Sequence, residues 1–390
     1  MDIEKVFLNK YLSNISKDTF AIKYWDNDRK IYGEGEPEFT IILKEPIPKK
    51  KILNDPSLAF GEAYMDGIIE VDGNLREVIE SIYRNKDSFL NKPRVLTKLS
   101  KIIPTSIEQQ KEDIHYHYDL GNNFYKLWLD ETMSYSCGYF KNKDDSLYQA
   151  QLNKIHHILK KLNLKEGDRL LDIGSGWGWL IIEAAKLYGV YATGITLSKE
   201  QYDKTKERIA KEGLEDKVEV KLMDYRELAD TGEKFDRIVS VGMIEHVGRA
   251  NIPVYMGTVE KLLVPHGVSI LHCITGQVES EGNLWINKYI FPGGCVPTIR
   301  ELVAVMPDFD FHLVDVESLR LHYFMTLKHW SENFDNAIDE VRKMYDERFV
   351  RMWKLYLDSC AASFHYGVID IHQFLFTKGL NNELPMTRVV

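Results

Sequence analysis

The sequence predicts an α/β protein, a doubly wound parallel sheet preceded by a small N-terminal α+β domain. Three observations carry this. Short apolar runs alternate with stretches of helical period after about residue 113, the pattern of strands joined by crossover helices. One run, Leu170-Leu171-Asp172-Ile173, leads into Gly174, Gly176 and Gly178, glycines at alternate positions where a strand turns into a helix. Residues 1–97 lack this alternation.

In the N-terminal domain, 1–97, residues 39–43 read as a strand that Pro46 and Pro48 end. Residues 52–84 then mix Gly/Asp turns (Asp66-Gly67, Asp72-Gly73) with a helical period at Leu75, Val78, Ile79 and Ile82. Residues 98–112, with Pro104 and Gln109-Gln110, read as a polar linker. In the second domain, 113–390, strands are expected at 170–173, 190–195, 218–222, 235–241 and 268–272. A late strand at 373–378 closes the sheet, and the aromatic-rich stretch 331–363 reads as helical core and lid.

Composition narrows the function. The chain has 390 residues and 44% hydrophobic content, enough for two globular cores. A net charge of −9 argues against general nucleic-acid binding. Met1-Asp2-Ile3-Glu4 is acidic and has no apolar signal core, and no apolar run reaches spanning length, so a cytoplasmic protein is expected. Cys137, Cys273, Cys295 and Cys360 are scattered and read as free thiols in a reducing compartment. Two local basic patches offset the net charge: Lys49-Lys50-Lys51, and Arg84, Lys86, Lys92, Arg94, Lys98 and Lys101 interleaved with Phe89, Leu90, Val95, Leu96, Leu99, Ile102 and Ile103. Cations mixed with large apolar residues suit a segment lying on an anionic membrane, a solvated linker or a core-packed helix.

The glycine spacing separates cofactor classes. A dinucleotide loop wants glycine at the first, third and sixth places; here the first, third and fifth are glycine and Trp179 takes the sixth. That pattern fits the methionine end of S-adenosylmethionine better than a pyrophosphate. The second strand ends Gly194-Ile195-Thr196-Leu197-Ser198 with no acid for ribose hydroxyls, leaving Thr196 and Gln201 as its polar groups. Asp224, after the third strand, is placed to accept from an adenine amino group, with Tyr225 beside it. Glu245-His246, bracketed by Gly242 and Gly248 after the fourth strand, suit acid–base work. His115, His117 and Asp119 match no strong metal signature, and no metal is expected.

The motifs become specific as a set. His117-Tyr118-Asp119-Leu120-Gly121-Asn122-Asn123-Phe124-Tyr125, YSCGYF at 135–140, LLDIGSGWGWL at 170–180, Glu245-His246-Val247-Gly248, LHCI at 271–274, FPGG at 291–294 and His322-Tyr323 resemble the cyclopropane-fatty-acyl-phospholipid synthases in order and spacing. Leu58-Ala59-Phe60-Gly61-Glu62-Ala63-Tyr64-Met65-Asp66-Gly67 resembles that family's small lipid-binding domain. The resemblance implies a seven-stranded methyltransferase sheet at 113–390. It implies an enzyme that uses bound bicarbonate to add a methylene group from S-adenosylmethionine across the cis double bond of a phospholipid acyl chain. It also implies a homodimer in peripheral contact with the inner face of the cell membrane. Carried onto this chain, Tyr135, Ser136, Gly174, Gly176, Thr196, Gln201, Asp224 and Tyr225 hold the cofactor. Cys137, Glu245, His272, Ile274 and Tyr323 hold bicarbonate, Cys137 and Ile274 through backbone groups.

The chemistry suits these residue types. Methyl transfer to an alkene leaves a carbocation, which aromatic faces stabilise by roughly 0.5–2 kcal/mol each. Tyr139, Phe140, Tyr323 and Trp285 are the candidates. Three other readings stay open from the sequence: a related methyltransferase making a methyl branch or methylating an amine, a non-catalytic lipid-binding protein, and a nicotinamide oxidoreductase.

Overall fold

The computed structural model describes residues 3–85 and 120–387. His115, His117, Asp119, the linker and the basic stretch beyond Arg84 lie outside the described residues. Two compact units emerge. One combines 3–85 with Ser280–Pro292 and Leu327–Val368, and the other combines 120–279 with Gly293–Thr326 and 369–387.

The first unit carries a four-stranded sheet of β1 (Phe20–Lys23), β2 (Arg29–Tyr32), β3 (Phe39–Leu43) and β4 (Ile69–Asp72), in the order β2-β1-β3-β4. Only β3 was legible beforehand. β2 is the exposed four-residue run Arg-Lys-Ile-Tyr and carries no apolar alternation to read. Phe20, Ile22, Phe39, Ile41 and Leu43 form its core with Leu8, Leu12 and Ile52. The helical period expected at 75–82 is the helix Leu75–Arg84, capped by the Asn74 side chain. Arg84 is paired with Asp18 at 2.6 Å. Trp285 packs in this unit, so tightly against Gly61 that a Cβ there would lie 2.4 Å from the indole, and its Nε1–H meets Met65 Sδ at 3.1 Å. The structure therefore gives Trp285 a packing role.

The second unit carries a seven-stranded sheet of β5 (Arg169–Ile173), β6 (Tyr191–Thr196), β7 (Val218–Leu222), β8 (Phe235–Val241), β9 (Leu263–Gly276), β10 (Phe311–Ser318) and β11 (Ile369–Lys378). The order is β10-β11-β9-β8-β5-β6-β7. The parallel sheet expected from the sequence is extended by two strands whose direction the sequence left open. The five strands β5 to β9 are parallel, but β11 runs antiparallel to β9 and β10 antiparallel to β11. β10 was missed, although Phe311, Leu313 and Val316 hint at it.

Neighbouring strand residues sort to opposite faces, as a period of two requires. Leu171, Ile238, Leu271 and Phe374 enter one hydrophobic cluster, while Leu170, Val239, Ile270 and Leu375 enter the other. Both faces are buried under helices, which makes the sheet doubly wound. The stretch 331–363 is not one helix. It is divided among Arg320–Asn336, Ile338–Met344 and Glu347–His365, the last begun by Asp346, whose carboxylate accepts from Phe349 N–H at 2.8 Å. Among the described residues, no helix is long and apolar enough to cross a membrane.

Candidate active site

Parallel strands place their ligands beyond their carboxyl ends, and a cavity lies there. It encloses about 1140 Å³ including its open mouth. All eight residues expected to hold the cofactor line it: Tyr135, Ser136, Gly174, Gly176, Thr196, Gln201, Asp224 and Tyr225.

The glycine loop is built by its backbone. Gly174 N–H and Ser175 N–H both donate to Ile195 O, at 3.0 and 2.9 Å, which ties the end of β5 to β6. Gly176 and Gly178 have φ of +54° and +80°, and Gly178 starts the helix Trp179–Tyr188. Arg208 holds the loop from outside, donating to Trp177 O at 2.9 Å and Thr132 O at 3.0 Å, with its guanidinium 5.2 Å from the Trp179 ring centre. Its role was not legible, because it acts through carbonyls 31 and 76 positions away.

At the end of β6, Thr196 Oγ1–H donates to Gln201 Oε1 at 2.7 Å, which leaves the amide NH₂ of Gln201 as the donor presented elsewhere. Asp224 is buried and caps the helix Tyr225–Asp230, accepting from Arg226 N–H at 2.8 Å and from the Arg226 guanidinium at 2.7 and 2.8 Å. The acid expected to meet an adenine amino group is thus also a helix cap and half of an ion pair.

Three buried polar atoms of the cavity residues have no hydrogen-bond partner: Asp172 Oδ1, Trp179 Nε1 and the Tyr225 hydroxyl. Leaving such groups unpaired costs about 1–3 kcal/mol each. A ligand rich in amino, hydroxyl and carboxylate groups, as S-adenosylmethionine is, fits that demand.

Lys154 was missed. Its ammonium, buried in the cavity wall, donates to Ser136 Oγ at 3.0 Å. Burial pulls it down to about 8 and pushes the Asp172 carboxyl up to about 7, while each charge opposes the other's shift. The signal lay in the helix Leu147–Lys161, whose buried residues include Gln151, Lys154, His157 and Lys161. Polar residues spaced three and four apart on a core-facing stripe have no packing reason to be there.

The five residues expected to hold bicarbonate do not line this cavity. Glu245 sits on the turn after β8, between Met243 and His246, which do. Its Oε1 accepts from Ile274 N–H at 2.7 Å, and its buried Oε2 has no partner. Burial raises the carboxyl to about 7. His272 is fully buried on β9, its Nδ1 3.2 Å from Gln373 Nε2 and its Nε2 without a partner. Cys137 Sγ contacts Gly138 O at 3.2 Å and Leu319 O at 3.9 Å; Tyr323 N–H bonds the same Leu319 carbonyl at 3.0 Å. Leu319 N–H in turn meets Ile371 O on β11, beside Gln373. The structure thus ties Glu245, on the turn after β8, to Ile274 on β9, the strand that also carries His272, and groups Cys137 with Tyr323 around Leu319. Burial pushes the Cys137 thiol far up, which keeps it protonated and unsuited to nucleophilic attack. Tyr139 is stacked between His157 and His322 at 4.3 and 4.6 Å.

The sequence profile of mycolic acid cyclopropane synthetase matches residues 105–374, and a profile of a domain of unknown function matches 7–94. Fold, cavity and profile together define an S-adenosylmethionine-dependent methyltransferase. A probable fatty acid methyltransferase of Pseudomonas putida is 39% identical over 388 residues, covering 94% of each chain. The cyclopropane-fatty-acyl-phospholipid synthase of Escherichia coli K12 is 38% identical over 360 residues, 91% of this chain and 92% of that one. The solved mycolic acid cyclopropane synthase CmaA1, complexed with SAH and CTAB, is 33% identical, with a TM-score of 0.65 over 69% of this chain and 98% of its own. The chain belongs to the mycolic acid cyclopropane synthetase family of lipid methyltransferases.

Asp172→Asn tests the cofactor end of the cavity. An ammonium that reaches Oδ1 makes a charge-assisted bond of about 1.5–3 kcal/mol, so calorimetric affinity for S-adenosylmethionine should fall about tenfold or more. With the carboxyl near 7, wild-type affinity should weaken as pH drops from 8 to 6 and the acid takes its proton. That dependence should vanish in the variant. Equal affinity in both proteins at pH 8 would remove Asp172 from the contact.

Proposed function

We propose that this enzyme is a cyclopropane-fatty-acyl-phospholipid synthase that takes a methylene group from S-adenosylmethionine onto the cis double bond of an acyl chain, with bicarbonate as the base. The observation that carries it is the buried Glu245 carboxyl, one oxygen fixed by Ile274 N–H and the other unpartnered, on a turn whose neighbours line the cofactor cavity. A carboxyl held near 7, and a buried imidazole with an unpartnered ring nitrogen two residues from Ile274 on β9, suit a small protonated oxyanion that donates its hydroxyl to the carboxyl and accepts at its other oxygens.

S-adenosylmethionine, when bound, supplies the electrophilic methyl group; bicarbonate, when bound, supplies the acceptor for the proton lost as the ring closes. The protein's part is to hold and exclude. The glycine loop, Thr196, Gln201, Asp224 and Tyr225 fix the cofactor against the carboxyl ends of β5, β6 and β7. Glu245 orients the base by taking its proton into a hydrogen bond. The aromatic rings of Phe140 and Tyr323 supply negative faces toward a cation and keep water from it, whereas Tyr139, both faces covered by His157 and His322, has a packing role. SAH bound to CmaA1, and the name of the E. coli relative, support this reading.

A second reading has support of its own. The P. putida relative, at 39% identity, is named a fatty acid methyltransferase, which leaves a methyl-branched product open. Product analysis separates the two. Pure protein is incubated with methyl-labelled S-adenosylmethionine, bicarbonate and monounsaturated phospholipid vesicles, and the acyl chains are read by mass spectrometry and proton NMR. The expected result is a one-carbon gain with upfield ring protons and no alkene. The same gain with a methyl or methylene signal selects the branched product. No gain, with cofactor bound, moves the acceptor to a soluble molecule.

The proposal includes peripheral docking to the inner face of the cell membrane and a homodimer. The interleaved cations and apolar residues of 86–103 support docking at about 1 kcal/mol per cation. Vesicle co-sedimentation should need anionic lipid and weaken as salt rises; salt-independent pelleting would discard these cations as the anchor.

A further inference from the structure

We propose that Gln373 and Lys161 are positioning residues that lock His272 in its Nε2–H tautomer, so that the buried ring presents a donor toward the reaction centre. The inference deepens the anion-site reading of Glu245 and His272 and rests on it.

The argument follows from which atoms can only donate. Lys161 is buried, ion-paired with Glu317, and its Nζ lies 3.0 Å from Gln373 Oε1. An ammonium has three donors and no acceptor, so the amide atom it meets must be the oxygen. This settles the orientation of Gln373, which is otherwise ambiguous between O and N. The other end of the amide, an NH₂ that only donates, then faces His272 Nδ1 at 3.2 Å. Nδ1 must accept, and the one proton of the neutral ring goes to Nε2, the buried atom without a protein partner. Burial keeps the imidazole neutral by lowering its basicity to about 3, so there is a single N–H to place.

The sheet supplies the geometry. Gln373 on β11 is the antiparallel partner of His272 on β9. Glu317, on β10, anchors Lys161 and is itself held by His157 Nε2 at 2.7 Å. Lys161 and His157 both come from the helix Leu147–Lys161. A chain of single-valued hydrogen bonds therefore runs from a carboxylate on β10 through Lys161 and Gln373 to one ring nitrogen on β9.

The test is nitrogen NMR of the full-length protein with ¹⁵N-labelled histidine, the His272 signal being assigned by its loss in His272→Asn. The expected wild-type signal is a neutral ring protonated at Nε2. Lys161→Met frees the amide to turn, and Gln373→Met removes the donor. In both, the ring should show a mixture of tautomers, and the bicarbonate KM should rise about tenfold, the value of one hydrogen bond to a charged group. Calorimetric affinity for S-adenosylmethionine should stay within about twofold, since neither residue lines the cofactor cavity. Lys161→Arg keeps a donor-only cation and should restore the Nε2–H signal. A wild-type ring protonated at Nδ1 overturns the proposal, and the wild-type measurement does not depend on any variant folding. An unmixed Nε2–H ring with unchanged bicarbonate KM in both Met variants also overturns it. Tautomer mixing in the variants, with wild-type turnover indifferent to bicarbonate, supports the lock and removes bicarbonate as the anion.

Discussion

Glu245→Gln should slow turnover by about 10²–10⁴-fold, the range associated with a positioned acid–base group, while calorimetric affinity for S-adenosylmethionine stays close to wild type. The amide keeps an acceptor for Ile274 N–H, so the turn after β8 is preserved. It loses the carboxylate that accepts the hydrogen bond of the base's hydroxyl and orients it. If affinity falls as far as the rate, Glu245 serves cofactor binding instead.

The same substitution should change stability in a pH-dependent way. The carboxyl is near 7 in the folded protein against an ordinary value of 4.5. The folded state therefore holds this proton more tightly than the unfolded chain does. Its contribution is fully present below about 4.5 and is lost as pH rises through 7. Across that window the loss is about 3 kcal/mol, at 1.36 kcal/mol per unit. Glu245→Gln removes a charge that burial disfavours, so its thermal midpoint should rise relative to wild type at pH 8 and match it near pH 5. A difference that does not vary with pH would mean an ordinary, hydrated carboxylate.

Gly178→Ala should be the most damaging change in the cofactor loop. A side chain at φ +80° costs about 1–2 kcal/mol. The added Cβ would also lie 2.3 Å from Thr205 Cγ2, well inside contact distance. Loop or helix must shift, and the expected total is about 2–4 kcal/mol, with cofactor affinity falling about a hundredfold as the loop moves. Gly176→Ala is the control. Its φ is +54° and its Cβ would meet nothing within 4 Å, so it should carry only the backbone cost. Gly178→Ala combined with Thr205→Ser, which removes Cγ2, should regain the contact part of the loss and leave the backbone part. Thermal unfolding of the four proteins separates the two terms. Full rescue by Thr205→Ser would show that the left-handed backbone costs nothing here, and no rescue would show that Thr205 gives way freely.

The expectations that held share one property: their information is local. The run Leu170 to Gly178 announces strand, turn and helix within nine residues, because apolar burial, a left-handed turn and a helix start each depend on neighbours in the chain. The strands β5, β7 and β8 follow from apolar runs, and Gly174, Thr196 and Asp224, expected to hold the cofactor, line one cavity because a parallel sheet opens such a cavity at the carboxyl ends of its strands. Where the sequence misled, the deciding partner was distant. β10 is fixed by pairing with β11, some 60 residues on, and the antiparallel return of those two strands is settled by that pairing and by β11 against β9. Trp285 carries the residue type of a cation-stabilising aromatic, yet Gly61 and Met65, more than 200 positions earlier, make it a core residue.

The sequence by itself therefore determined the parallel strands β5 to β9, the glycine loop and the class of cofactor, since an apolar run, a turn and a helix cap are each written within a few residues. Only the tertiary structure decided which buried polar atoms find partners. Lys154 and Asp172 share a cavity wall, Glu245 spends one oxygen on Ile274, and Lys161 reaches His272 through Gln373, 101 positions along the chain. Hydrogen bonds of this kind are set by sheet register and by the face a helix turns inward, and burial then makes each satisfied or orphaned atom matter.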